Sequence, residues 1–353
     1  MGNKVLMKGN EAIAEAAISA GCIYFFGYPI TPQTEVAEYM ARRLPKVGGL
    51  CLQAESEVAA INMLMGASAA GTRAMTSSSS PGVSLKSEGI SYIAGCDLPC
   101  LIVNVQRGGP GLGGIQPSQQ DYYQATRGVG HGDLRLIVLA PSSVQEMASL
   151  TAEAFDLADA YRMPAMLLAD GALGQMMEPV DFSVFPKREL PEKTWATSGT
   201  KNARKKNIVN SLFIDPNELE NSILARYERY AEVEKNEVRY EEYMTDDADI
   251  VIVAFGITAR VAKSAIAEAR KNGIKAGLLR PITLWPFPKA KLNELADTAK
   301  VFLSVEMSMG QMVDDVRLAV NGKKPVHFFG RTGGIIPSVE EVLGEINKLA
   351  ETL

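Results

Sequence analysis

The sequence predicts an α/β protein built on mainly parallel sheets covered by helices on both faces. Three observations predict it. Apolar runs of strand length alternate with helical patterns through the first 185 residues. The alternation resumes after Asp249 in "DIVIVAFG", "IKAGLLRP", "VFLSVE" and "PVHFFG". Between the two series the composition turns charged, as in "ARYERYAEVEKNEVRYEEYMTDD". A chain of 353 residues is long enough for two or three cores. The expected division is therefore 1–185, an arm and linker over 186–247, and 248–353.

The elements follow in order. Asn10 to Ala20 reads as a helix capped by Asn10 and stopped at Gly21. Cys22 to Phe26 reads as a strand and Thr34 to Arg43 as a helix. Gly49 to Gln53 is a short strand before a helix over Ser56 to Ala70. Thr72 to Ser77 is a strand leading into a Ser/Pro/Gly turn, and Ser84 to Gly95 is a helix. Leu101 to Gln106 and Leu136 to Ala140 read as strands, Ser143 to Ala160 as a helix, and Ala165 to Ala169 as the closing strand. The charged stretch reads as an extended arm and a polar helix that bridges domains or packs on a partner, with a solvated linker as the equal alternative. Beyond it, helices are expected over Thr258 to Asn272 and Gln311 to Val320.

Composition excludes several functions. With 36 basic against 41 acidic residues, and one basic run at Lys201 to Lys206, the chain lacks the concentrated positive face that nucleic acid requires. The N-terminus "MGNKVLMKGNEA" has no apolar stretch before a small-residue cleavage site, so no signal peptide is expected. No apolar run approaches the roughly 20 residues of a membrane span. Four cysteines lie in apolar segments without a C-x-x-C pair, which reads as buried, reduced thiols in a cytoplasmic protein. Only two histidines are present, His131 and His327, so acid–base chemistry is expected from a carboxylate or a cofactor. His131, in "GVGHGD", reads as a loop residue.

Ligands of open parallel sheets collect beyond the carboxyl ends of the strands, and four unusual stretches stand there. In "GYPITPQTE" two prolines restrict the backbone around Thr31, which suits a hydroxyl aimed at a ligand or a helix cap. In "QAESEVAAINMLMGASAAG", Glu55 and Glu57 precede a helix almost without charge. First-turn carboxylates are ordinary dipole partners, but so apolar a helix is expected to be buried, and an acid buried with it can bond strongly to a ring nitrogen. "TSSSSPG" offers four serines, of which capping explains one. "RGGPGLGGIQP" matches the dinucleotide glycine pattern formally, but Pro110 interrupts it and no helix opens from it, so that reading is rejected. The glycines make a loop able to approach a ligand closely. Arg107, at its start, presents a planar fork suited to a carboxylate.

Together "GYPITPQTE", "QAESEVAAINMLMGASAAG", "TSSSSPGVSLKSEGISYIAG", "NVQRGGPGLGG" and "PSQQDYYQATRG" resemble the α subunit of 2-oxoacid:ferredoxin oxidoreductases, which are thiamine diphosphate enzymes, and in particular the branched-chain (2-oxoisovalerate) type. "LLRPITLWPFP" and "VEMSMGQMVDDVR" resemble the family's second domain, so nearly the whole chain is covered. The resemblance implies a thiamine diphosphate-binding-type domain of the pyrimidine-binding kind over 1–185 and a transketolase-C-like domain over 248–353. It implies that Thr31 contacts the 2-oxoacid, Arg107 binds its carboxylate, and Glu57 rather than Glu55 bonds N1′ of the aminopyrimidine. Pro29, Ile30, Ser78 and Ser79 are implied cofactor contacts.

The implied reaction is CoA-dependent oxidative decarboxylation of a 2-oxoacid with reduction of ferredoxin. The family's G-D-G…N-N diphosphate pattern and cluster cysteines do not occur in this sequence. The resemblance therefore implies a β subunit bringing the diphosphate site, Mg²⁺ and a [4Fe-4S] cluster, with γ and ferredoxin-like δ subunits as further partners. No second cation beside Arg107 suits a dicarboxylate, which favours a branched aliphatic substrate over 2-oxoglutarate or pyruvate. A nicotinamide-dependent dehydrogenase and a non-catalytic assembly subunit are the alternatives from other classes.

Overall fold

The runs "AMTSS" and "LIVNVQ" lack polar–apolar alternation, so as strands they require cover on both faces. In the computed structural model, which describes residues 4–185 and 188–353, every position of both is buried. The first series comprises β1 (Val5–Lys8), α1 (Gly9–Ser19), β2 (Tyr24–Gly27), α2 (Thr34–Arg43), β3 (Leu50–Gln53), α3 (Glu57–Ala69) and β4 (Ala74–Ser78). It continues with α4 (Ser80–Gly95), β5 (Leu101–Gln106), β6 (Ile137–Leu139), α5 (Val144–Tyr161), β7 (Ala165–Asp170), α6 (Gly171–Gln175) and β8 (Met177–Val180). A long helix, α7 (Pro216–Asn236), follows. The second series is β9 (Tyr240–Tyr243), β10 (Ile250–Val253), α8 (Gly256–Lys271), β11 (Ala276–Pro281), β12 (Thr283–Trp285), α9 (Lys289–Thr298), β13 (Val301–Glu306), α10 (Met312–Val320), β14 (Val326–Gly330) and α11 (Val339–Ala350).

A seven-stranded sheet has the order β12-β6-β7-β5-β4-β2-β3, parallel throughout except for β12. A five-stranded sheet has the order β14-β13-β10-β11-β9, with β9 antiparallel. Strands β1 and β8 form a separate antiparallel pair. β12 belongs by sequence to the second series yet pairs with β6 of the first sheet.

The two series are joined by buried polar groups. Gln119 is fully buried; its amide nitrogen donates to the Phe255 carbonyl (2.7 Å) and its side-chain oxygen accepts from Met307 N (3.0 Å) and Thr258 Oγ1 (3.2 Å). Arg280 grips both oxygens of Glu146. Helix α7 lies on the chain's own surface: Arg226 and Arg229 meet Asp97, and the Tyr230 ring packs edge-on against Trp285 at 5.7 Å.

Several elements differ from the sequence expectation. Asn10 does not cap α1. The helix begins one residue earlier, and Asn10 is buried inside it, donating to the Pro32 carbonyl (2.8 Å) and to Glu35 (2.9 Å). Strand β2 starts at Tyr24, because Cys22 N still bonds back to Ala17 O to close the preceding turn. Helix α4 starts at Ser80 rather than Ser84: Pro81 suits a first turn, and Asn104 Oδ1 accepts from Ser80 N. Helix α3 is not buried all round, since Val58 is 47% exposed while Ile61 and Leu64 are buried. Two of the four thiols, Cys51 and Cys96, are only half-buried; all four are unpaired.

Candidate active site at the strand ends

Strands β2, β4 and β5 are parallel neighbours, so their carboxyl ends open on the same edge. Beyond β2 the chain runs through Tyr28, Pro29, Ile30 and Thr31 before α2. Tyr28, Pro29 and Thr31 are exposed, Ile30 is half-buried, and the Thr31–Pro32 peptide is cis. Pro29 lines an apolar cavity with Phe25, Ala37, Ala41 and Cys51. Gln33 anchors the segment from below: it is fully buried, accepts from Ser77 Oγ at 2.5 Å and donates to the Tyr28 carbonyl.

Glu57 opens α3 after Ser56, whose hydroxyl caps the helix by accepting from Ala59 N at 3.1 Å. That cap points Glu57 inward, to 6% exposure, while Glu55 stays exposed. The neighbouring helix allows this because its Gly82 has no side chain. A Cβ there would lie 2.2 Å from Ser78 Oγ and 2.9 Å from Glu57 Oε1. Gly82 thus marks where the carboxylate and the serine hydroxyl come together. Thr76, Ser78 and Ser79 are fully buried and their hydroxyls have no partner among the described residues. Buried polar atoms are almost always satisfied, so three such hydroxyls at the end of β4, with Ser78 beside the Glu57 carboxylate, suit a polar ligand that completes them.

Arg107 follows β5 and is 7% exposed. Its guanidinium donates to the carbonyls of Thr31 (3.0 Å) and Leu112 (3.1 Å), and Nε has no partner among the described residues. The structure thereby brings Arg107 and Thr31 together across the β2 and β5 ends. Two of the five N–H groups are used to fix the plane of the fork, which leaves donors for an anion. The glycine loop turns on itself through Gly114 N to Gly108 O (2.9 Å), and its tip residue Leu112 is 84% exposed. No helix opens from it.

Sequence reasoning missed four contributors. Ser80 Oγ donates to Asp121 at 2.6 Å and accepts from Arg107 N at 3.0 Å. Asn104 donates to the same Asp121 oxygen at 2.9 Å. Burial pushes the Asp121 carboxyl up, and the bonds from Ser80 and Asn104 hold it back. Lys86 is fully buried on α4. Only Ser80 carried a sequence signal, as the last of the serine run. His131 lies in a loop and its carbonyl accepts from Ser91. Among the described residues no group of three His, Cys, Asp or Glu side chains is arranged to hold a metal ion, and no helix is long and apolar enough to cross a membrane.

Residues 15–251 match the family described as pyruvate flavodoxin/ferredoxin oxidoreductase, thiamine diphosphate-binding, and residues 248–342 match pyruvate:ferredoxin oxidoreductase core domain II. The chain is 53% identical over 345 residues to ketoisovalerate oxidoreductase subunit VorB of Methanothermobacter marburgensis, covering 98% of this chain and 97% of that one. It is 36% identical over 376 residues to 2-oxoglutarate synthase subunit KorA of the same organism, covering 98% and 99%. A solved 2-oxoglutarate:ferredoxin oxidoreductase from Magnetococcus marinus, with 2-oxoglutarate, coenzyme A and succinyl-CoA bound, aligns with a TM-score of 0.89 at 30% identity. That alignment covers 98% of this chain, which spans 65% of the other's length. A split-gene transketolase aligns over 97% of both chains with a TM-score of 0.60 at 14% identity, a likeness of fold. The chain belongs to the 2-oxoacid:ferredoxin oxidoreductases, as a subunit of the thiamine diphosphate-binding kind.

Proposed function

We propose that this chain is the α subunit of a branched-chain 2-oxoacid:ferredoxin oxidoreductase and supplies the pyrimidine-binding half of its active site. The reaction converts a 2-oxoacid and CoA to acyl-CoA and CO₂, with two electrons passed to ferredoxin. The observation that carries the reading is the buried Glu57 carboxylate set against Gly82 beside the Ser78 hydroxyl, which has no partner among the described residues. That arrangement suits the aminopyrimidine of thiamine, whose ring nitrogen would share a proton with Glu57. Ser78 borders the same space, and it is assigned to the cofactor together with Pro29, Ile30 and Ser79. When bound, thiamine diphosphate supplies the electron sink for decarboxylation, which a chain with two histidines does not provide itself.

Arg107 is assigned to the substrate carboxylate and Thr31 to the adjoining oxo group; their contact in the fold supports a shared task. Identity of 53% to a ketoisovalerate enzyme subunit against 36% to a 2-oxoglutarate one favours a branched aliphatic substrate. A β subunit bearing the diphosphate site, Mg²⁺ and a [4Fe-4S] cluster completes the proposal, with γ and ferredoxin-like δ subunits around it. Four unpaired thiols support a cytoplasmic location.

The assembled enzyme tests the assignment. Arg107→Met should raise KM for 2-oxoisovalerate, pyruvate and 2-oxoglutarate alike, because all three share the carboxylate. Thr31→Val should raise it far less, since one neutral hydrogen bond contributes about 0.5–1.5 kcal/mol. Three unchanged KM values in Arg107→Met would move the carboxylate elsewhere. Viologen reduction by the isolated chain, expected to be nil, would overturn the shared site.

A further inference from the structure

Nothing in the packing of α3 on α4 calls for a lysine between them. Gly82, Lys86 and Gly89 occupy positions i, i+4 and i+7 of α4 and so share a face. A Cβ at Gly82 would stand 2.9 Å from Glu57 Oε1, and one at Gly89 would stand 2.4 Å from Ile61 Cγ2. Glu57 and Ile61 are one turn apart on α3. Lys86 is therefore bracketed by the two glycines where the helices approach most closely, a position that ordinarily takes an aliphatic side chain. It is fully buried, and its ammonium has no hydrogen-bond partner among the described residues.

Helical side chains lean toward the helix N-terminus, which carries Lys86 back along the Gly82 face toward Glu57. Burial pushes the lysine down to about 8, and the Glu57 charge acts in the opposite direction. The other charged groups do not compete for it: Glu88 on α4 is exposed, and strands β4 and β5 carry no charged residue.

We propose that Lys86 is a positioning residue for Glu57, a buried ammonium that keeps the carboxylate ionised so that the ring nitrogen it meets carries the shared proton. A nearby cation favours the ionised form of a carboxyl group, so the carboxylate accepts the N–H hydrogen bond of the protonated ring nitrogen. The proposal rests on the reading of Glu57 given above.

One test needs no cofactor. In the full chain carrying ¹³C-labelled lysine, the Lys86 resonance is identified by its loss in Lys86→Met. Glu57→Gln should lower its titration midpoint by about one pH unit or more; an unmoved midpoint overturns the coupling. A second test follows hydrogen–deuterium exchange at thiamine C2 in the assembled enzyme. Lys86→Met preserves shape without charge. It should slow exchange about tenfold below pH 8 and abolish an inflection near the lysine's midpoint, about 8. Lys86→Arg, which keeps a charge that does not titrate there, should restore the rate without the inflection. Wild-type exchange in Glu57→Gln would sink the reading of Glu57. Slow exchange in Glu57→Gln beside an unchanged rate and inflection in Lys86→Met would sink the lysine proposal alone.

Discussion

Glu57 and Glu306 are both buried acids at strand–helix junctions, one in each sheet unit, and they are treated oppositely. Glu306 ends β13 with no exposure and accepts five hydrogen bonds, from Ser304, Ser308 and the backbone N–H groups of Gln311, Met312 and Val313. It satisfies the free amides at the start of α10 and is itself satisfied. Glu57 receives no side-chain or backbone donor from the described residues, and the Ser78 hydroxyl beside it and the buried Lys86 ammonium are also unpartnered among them. A carboxylate fully supplied by its own chain serves the fold. One left short, among neighbours equally short, fits a ligand that has yet to arrive.

The comparison breaks if the two acids respond alike. The largest expected effect is on chemistry: Glu57→Gln in the assembled enzyme should slow C2 exchange by about 10²–10⁴-fold, the range of a lost acid–base group. Its unfolding free energy from urea titration should stay within about 1 kcal/mol of wild type. Glu306→Gln should do the reverse. Replacing an acceptor oxygen with NH₂ sets it against backbone donors, a loss on the order of 3 kcal/mol in unfolding free energy.

Lys86 sharpens the contrast through pH. Its ordinary value of 10.5 falls to about 8 in the fold, so the unfolded chain holds that proton more tightly. The penalty is complete below pH 8 and fades as pH rises toward 10.5. At about 1.4 kcal/mol per pH unit it amounts to up to about 3 kcal/mol. Lys86→Met should therefore be more stable than wild type at pH 7, with the advantage shrinking as pH rises above about 8 in paired urea titrations. An advantage that does not change with pH would mean the ammonium is solvated and holds its proton as tightly as in the unfolded chain. The smallest effect is expected from Thr31→Val, a KM change matching about 1 kcal/mol with stability unaltered.

Much of this was legible from sequence where local chemistry decides. Thr34–Arg43, Leu101–Gln106 and Val301–Glu306 form with the expected bounds, because each is a helix or a buried strand written in its own composition. Glu57 and Arg107 were visible as charges at strand ends. What could not be read depends on distant partners. Asn10 has every mark of a helix cap, and its use inside the helix is set by the Pro32 carbonyl and Glu35. Asp121 means nothing without Ser80 and Asn104, which only the fold brings to it. Lys86 reads as an ordinary helical lysine until Gly82 and Gly89 close the space around it. Helix α3 was expected to be covered all round, yet Val58 on its outer side is exposed in the single chain.

The pairing of β12 with β6 bears on how the protein is made. Leu139 faces Thr283, a partner synthesised roughly 140 residues later. At ordinary elongation rates that is a delay on the order of ten seconds. Throughout it the β6 edge of an otherwise finished sheet offers unpaired backbone groups to any neighbouring nascent chain. Domain-by-domain folding during translation therefore stops one strand short for this protein. A chain cut anywhere before Thr283 would keep that edge open permanently.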